Sequence, residues 1–73
     1  MAKEVVEIPM AGKVLSVNVK VGDMVKEDDI LCILESMKME NPIVSPLSGR
    51  VIEVGITAGS MVEAGKTVAV IEY

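Results

Sequence analysis

The sequence predicts an all-β domain: a flattened barrel of two four-stranded antiparallel sheets related by an internal pseudo-twofold repeat. Three observations carry that expectation. The chain repeats itself at a spacing of 37 residues, each copy alternates apolar and polar residues with a period of two, and the core can be filled only by aliphatic side chains. Without gaps, Pro9 aligns with Pro46, Gly12 with Gly49, Val14 with Val51, Val17 with Val54, Gly22 with Gly59, Met24-Val25 with Met61-Val62 and Glu35 with Glu72. The repeats run from 3 to 35 and from 40 to 72, within one domain spanning 1–73, and Ser36, Met37, Lys38 and Met39 are left over between them.

Each repeat supplies four short strands. The first pair lies near 3–8 and 40–45. Next, Leu15, Val17, Val19 and Val21 alternate with Ser16, Asn18 and Lys20, while Ile52, Val54 and Ile56 alternate with Glu53, Gly55 and Thr57, as half-buried strands do. Gly22-Asp23 and Gly59-Ser60 are turns, Met24-Val25 and Met61-Val62 are very short strands, and 30–35 and 68–72 close each unit. The economical packing sets one four-stranded unit against the other. Pro42 and Pro46 cannot donate to a ladder, which places them at an edge or at a strand start. A twofold relation between the units puts the connector at one end of the barrel and both termini at the other.

Composition narrows the chemistry. With no His, one Cys and a single Tyr at position 73, the acids, bases and nucleophiles on offer are carboxylates and lysines, so the chain is not expected to be an enzyme. No disulfide is possible within a chain of one cysteine, and no metal site is expected without histidine. Cys32 aligns with Ala69 and reads as a small buried residue. A net charge of -4 argues against nucleic acid. The longest apolar run, Ile30 to Leu34, is far short of a membrane span, which needs about 20 residues, and Met1-Ala2-Lys3-Glu4 lacks the apolar stretch of a secretory signal. A cytoplasmic location is therefore expected. The acidic run Glu27-Asp28-Asp29 fits no calcium loop and reads as a solvated surface.

The connector breaks its own local rule. A tight hairpin favours Asn-Gly or Asp-Gly, residues that tolerate positive φ, and this chain offers Met37-Lys38. Such residues enter that region at a cost of roughly 1–2 kcal/mol each. Two methionines also flank a lysine at a tip expected to face solvent. Local propensity and polarity are violated together, which marks the connector as the candidate functional site.

At Glu35-Ser36-Met37-Lys38-Met39-Glu40, followed by Asn41-Pro42-Ile43-Val44-Ser45-Pro46 and Gly49-Arg50-Val51, the sequence resembles the attachment motif of the biotinyl/lipoyl attachment domain family. It is most similar there to the small biotin/lipoyl attachment proteins and to the biotin carboxyl carrier domains of carboxylases and decarboxylases. Pro9-Met10-Ala11-Gly12 and Gly22-Asp23-Met24-Val25 extend the resemblance over nearly the whole chain. The family fold is the same flattened barrel, a barrel-sandwich hybrid with the lysine on a tight hairpin. Ser36 departs from the more usual alanine, as it does in some small attachment proteins, and the ungapped repeats leave no room for the protruding thumb of the bacterial acetyl-CoA carboxylase carrier subunit.

The resemblance implies a carrier in which biotin protein ligase joins biotin to Lys38, with Glu35, Ser36, Met37, Met39 and Glu40 forming the motif that the ligase reads. The tethered biotin would then shuttle carboxylate from a biotin carboxylase to a carboxyltransferase of a carboxylase, decarboxylase or transcarboxylase. The alternative reading is a lipoyl carrier of a 2-oxo acid dehydrogenase or glycine cleavage type of system, with lipoate on the same lysine. Lipoyl lysines are typically preceded by Asp and followed by Ala, where this chain has Met37 and Met39. A purely structural barrel is the third option, and it gives no reason for a Met-Lys-Met tip.

Overall fold

The computed structural model describes residues 1–73, in which eight strands are joined by turns and loops. The elements are β1 (Lys3–Glu7), β2 (Gly12–Val17), β3 (Met24–Val25), β4 (Ile30–Ser36), β5 (Met39–Val44), β6 (Gly49–Val54), β7 (Met61–Val62) and β8 (Thr67–Glu72). They form two four-stranded antiparallel sheets, ordered β1-β8-β6-β3 and β5-β4-β2-β7. Adding 37 to the residues of the first four strands reproduces the last four almost to the residue, as the duplication predicts.

The repeats differ from expectation in how they share the sheets. Neither repeat forms a sheet of its own. β1 and β3 of the first repeat join β6 and β8 of the second, while β5 and β7 of the second join β2 and β4 of the first. The exchange is bonded at its corners: Gly22 N–H donates to Val51 O at 2.8 Å, and its mate Gly59 N–H donates to Val14 O at 2.7 Å. Return bonds run from Val51 N–H to Asp23 O and from Val14 N–H to Ser60 O, both at 2.9 Å. Each glycine has a positive φ, 99° at Gly22 and 90° at Gly59, so each turn uses the residue type its backbone demands.

Bulges decide what faces inward. In β2 the register against β4 slips between Val14 and Ser16, and in β6 the register against β8 slips at the equivalent place, between Val51 and Glu53. The extra residue resets the alternation, so Val14 and Val51 are buried while Leu15 turns outward. The sequence expectation placed Leu15 on the same face as Val17, Val19 and Val21, and the bulge corrects it. Val17 and Val19 do pack on the core; Val21 lies beyond the end of β2, 62% exposed. Second bulges, at Leu31 in β4 and Val68 in β8, put Leu31-Cys32 and Val68-Ala69 inside as consecutive residues.

The core comprises Ile8, Val14, Val25, Leu31, Leu34, Val51, Ile56, Val62, Val68 and Ile71 with the small Cys32 and Ala69, and it contains no aromatic ring. Cys32 is fully buried, and desolvation pushes its thiol above the ordinary range, so it is a packing residue as its alignment with Ala69 suggested. Pro42 lies in the edge strand β5, and Pro46 falls in the loop before β6. Asp29 accepts the Lys26 N–H at 2.8 Å in a solvated turn, and no cluster of acidic or thiol ligands could hold a metal ion.

Each sheet is drawn tightest where a glycine of the long strand meets the end of its neighbour. A Cβ on Gly49 would sit 2.5 Å from Glu72 O and 2.7 Å from Ile71 Cγ2. The obstructing carbonyl belongs to a paired backbone and cannot swing away. Gly49→Ala is therefore expected to destabilise the domain by about 2 kcal/mol, as overpacking does, and urea unfolding followed by circular dichroism measures it.

Candidate functional site

The connector is the tip of the β4–β5 hairpin. Ser36 pairs with Met39, and Met37 and Lys38 between them have φ of 56° and 63°. Both central residues are left-handed, as a two-residue turn matched to strand twist requires, though neither is the glycine or asparagine that occupies such positions cheaply. The twofold mate of this turn is no turn at all. At the matching place Ala2 and Tyr73 exchange two backbone bonds, Ala2 N–H to Tyr73 O at 3.0 Å and Tyr73 N–H to Ala2 O at 2.9 Å. The hairpin thus stands at one end of the barrel and the two termini at the other.

Two side chains brace the hairpin. The Ser36 hydroxyl donates to Ala11 O at 2.9 Å, tying β4 to the β1–β2 loop, and the Asn41 amide donates to Met39 O at 3.1 Å just past the turn. Beneath them, a Cβ on Gly12 would collide with Glu35 O and stand 3.2 Å from Leu34 Cδ1, so β2 lies hard against the base of the hairpin. The strained pair is therefore carried on a fixed stem.

All six residues singled out in the sequence lie on this hairpin. Lys38 is exposed at the tip, with Met37 88% and Met39 65% exposed on either side, so the methionines do not serve the core. Glu35 and Glu40 face each other across the strands, and Lys13 is the neighbour of Glu35 on the other side. Like charges directly opposite repel, and the cation of Lys13 next in the sheet offsets them. Lys13 and Met61 join Ala11, Gly12, Glu35 and Ser36 around a surface depression that reaches the tip. Sequence reading gave Lys13 and Met61 no part in the site: Lys13 reaches it through the β2–β4 pairing within the first repeat, and Met61 through the exchange that sets β7 beside β2, where its alignment with Met24 was the one signal available.

Chemically, the end of the barrel offers a primary amine held clear of the surface between two thioether side chains. No pocket encloses it, and the one thiol is buried elsewhere. Such an arrangement leaves the amine open to approach from outside the domain. Its backbone cost is testable: Met37→Asn with Lys38→Gly restores the favoured turn and is expected to stabilise the domain by about 1–2 kcal/mol, read as a raised urea midpoint, with loss of the amine.

Comparison with known proteins agrees with this geometry. Residues 4–71 match the family model described as "Biotin-requiring enzyme" (Biotin_lipoyl). The chain is 62% identical over 39 residues to the glutaconyl-CoA decarboxylase subunit gamma of Acidaminococcus fermentans, covering 53% of this chain and 27% of that protein. It is 52% identical over 40 residues to the biotin/lipoyl attachment protein of Bacillus subtilis, covering 55% of each. The Kluyveromyces lactis urea carboxylase superposes with a TM-score of 0.88 at 35% identity, over 99% of this chain and 6% of that one. These matches span between 27% and 55% of the two curated relatives. The family model covers the duplicated barrel from end to end with its lysine hairpin between the repeats, and the chain belongs to the biotin/lipoyl attachment domain family.

Proposed function

We propose that this chain is a biotin carboxyl carrier, cytoplasmic, whose Lys38 is biotinylated by biotin protein ligase and then visits a biotin carboxylase site and a carboxyltransferase site in turn. The observation that carries this reading is the exposed Lys38 on a strained and braced Met-Lys-Met tip. The family match and the carboxylase and decarboxylase names among the relatives support it. No helix is long and apolar enough to cross a membrane.

The residues fit the group. Amide formation at Lys38 Nζ needs an unhindered amine: the nitrogen attacks the activated carboxyl carbon, loses a proton to the ligase site and displaces the activating group. Exposure at the tip supplies the access. The Ser36–Ala11 and Asn41–Met39 bonds hold the tip in one shape, so little further ordering is needed when it enters the ligase. Met37 and Met39 give the partner adaptable apolar contact. Biotin, once attached, supplies the carboxyl-carrying chemistry; the barrel tethers it and raises its effective concentration at both sites. Lipoate on the same lysine is the second reading, favoured by the attachment-protein relative named for both groups.

Two experiments test these assignments. Coexpression with biotin protein ligase is expected to add one biotinyl group by intact mass; Lys38→Arg abolishes it with the circular dichroism unchanged, whereas Lys13→Arg leaves it intact. A lipoyl adduct in its place decides for the second reading, and modification of Lys38→Arg overturns the site. Met37→Asp with Met39→Ala is expected to lower the ligase kcat/KM by about tenfold, the factor carried by roughly 1.4 kcal/mol of lost apolar contact, and to raise lipoylation. Unchanged biotinylation in that variant would mean that the ligase reads the shape of the hairpin and not these side chains.

A further inference from the structure

The two outer long strands, β1 and β5, are twofold mates with different edges. In β1 the bonded pair Ala2/Tyr73 fixes the alternation, so Glu4 and Val6 bond to β8 while the backbone groups of Lys3, Val5 and Glu7 point away from the sheet. In β5 the residue equivalent to Val5 is Pro42, which has no N–H to offer along the open edge. β1 has no such block. Its register slip against β8 falls on the β8 side, at Val68, so β1 itself runs regular over its five residues. The side chains on its outer face are Lys3, Val5 and Glu7, all exposed, Val5 by 47%.

We propose that β1 is a self-complementary edge through which a second copy of this chain pairs, joining two barrels into one continuous sheet. Set antiparallel about Val5, the strand meets itself with Val5 opposite Val5, Lys3 opposite Glu7 and Glu7 opposite Lys3. Every outward N–H and C=O then finds a partner, each lysine lies beside a glutamate on the shared face, and the two valines cover each other at the centre. No like charges meet. A parallel arrangement in register would set Lys3 on Lys3 and Glu7 on Glu7, so the charges also select the direction. The ladder is short and the chain carries a net charge of -4, which makes the dimer weak and concentration-dependent. β1 runs from the terminal end of the barrel towards the hairpin end, so antiparallel pairing points the two hairpins in opposite directions and leaves each Lys38 uncovered.

Sedimentation equilibrium of the unmodified chain over a concentration series tests this. The apparent mass is expected to rise from 7.8 kDa towards twice that value, and to fall back at about 1 M salt, where the screening length is near 3 Å. Val5→Pro copies the sister repeat at a position whose N–H the fold does not use, and should weaken association by about tenfold or more with the circular dichroism unchanged. Lys3→Glu and Glu7→Lys should each be monomeric alone and associate when mixed, and the double variant Lys3→Glu/Glu7→Lys should associate on its own. Lys38→Arg should associate like the parent chain. A parent chain that stays at 7.8 kDa throughout, an unaffected Val5→Pro, or a mixture of the two charge variants that fails to associate would each overturn the proposal.

Discussion

Everything in this molecule depends on the exchange of strands between its two repeats. Four short strands without an aromatic residue would leave a single repeat with an open inner face, and a chain of this size buries only about 60% of its unfolded surface even when complete. By lending β1 and β3 to the other sheet and receiving β5 and β7 in return, each repeat closes its partner. The Gly22–Val51 and Gly59–Val14 bonds fasten the exchange at both corners. Neither half can bury its valines without the other, so the barrel forms as one cooperative unit.

The same symmetry explains why one end of the barrel can be specialised. A twofold duplication makes two equivalent ends, and the chain must break at one of them. At the terminal end the ladder is completed by Ala2 and Tyr73; at the other the chain passes through Met37 and Lys38. At that second end a hairpin joins the two repeats and presents its side chains on a braced turn. The positive φ at both residues is the cost of placing a lysine where a glycine would be easiest. Ser36 helps to hold the turn by tying its stem to the β1–β2 loop, and Asn41 bonds back to Met39 just past the turn. Strain of this kind persists where surrounding bonds over-determine the backbone.

Much of this was legible in the sequence. The duplication revealed the strand count, the order along the chain and the position of the connector, and the Met-Lys-Met tip declared itself by breaking two rules at once. What stayed hidden depends on pairing and not on local preference. Leu15 reads as a core residue by its period of two, and only the ladder with β4 shows that an extra residue resets the phase after Val14. The sharing of each sheet between repeats is likewise invisible to an alignment, which matches residues that are equivalent and not residues that touch. For that reason Met61 was missed beside the hairpin, while Lys13 was missed because its place next to Glu35, inside the first repeat, is set by the register of β2 against β4. Asp28 shows the same limit at one residue: it holds a φ of 74° where its mate is Gly65, and the alignment alone says nothing of which partner bears the strain.

A carrier that serves several active sites in succession faces a conflict between fitting each partner well and leaving each one quickly. Under the proposed carrier function, the hairpin would divide the two demands between backbone and side chains. A braced turn would enter every site in the same shape, so that its ordering entropy is lost once, on folding, and not at each visit. The contacts would then be left to Met37 and Met39, whose unbranched side chains can adapt to surfaces of different shape. Lys38 itself is exposed at the tip, at the rim of a shallow open depression. Under the proposed function that exposure is consistent with selective modification, because an exposed amine that must be oriented inside a partner's site to react would be modified by that partner and not by any acylating agent it met.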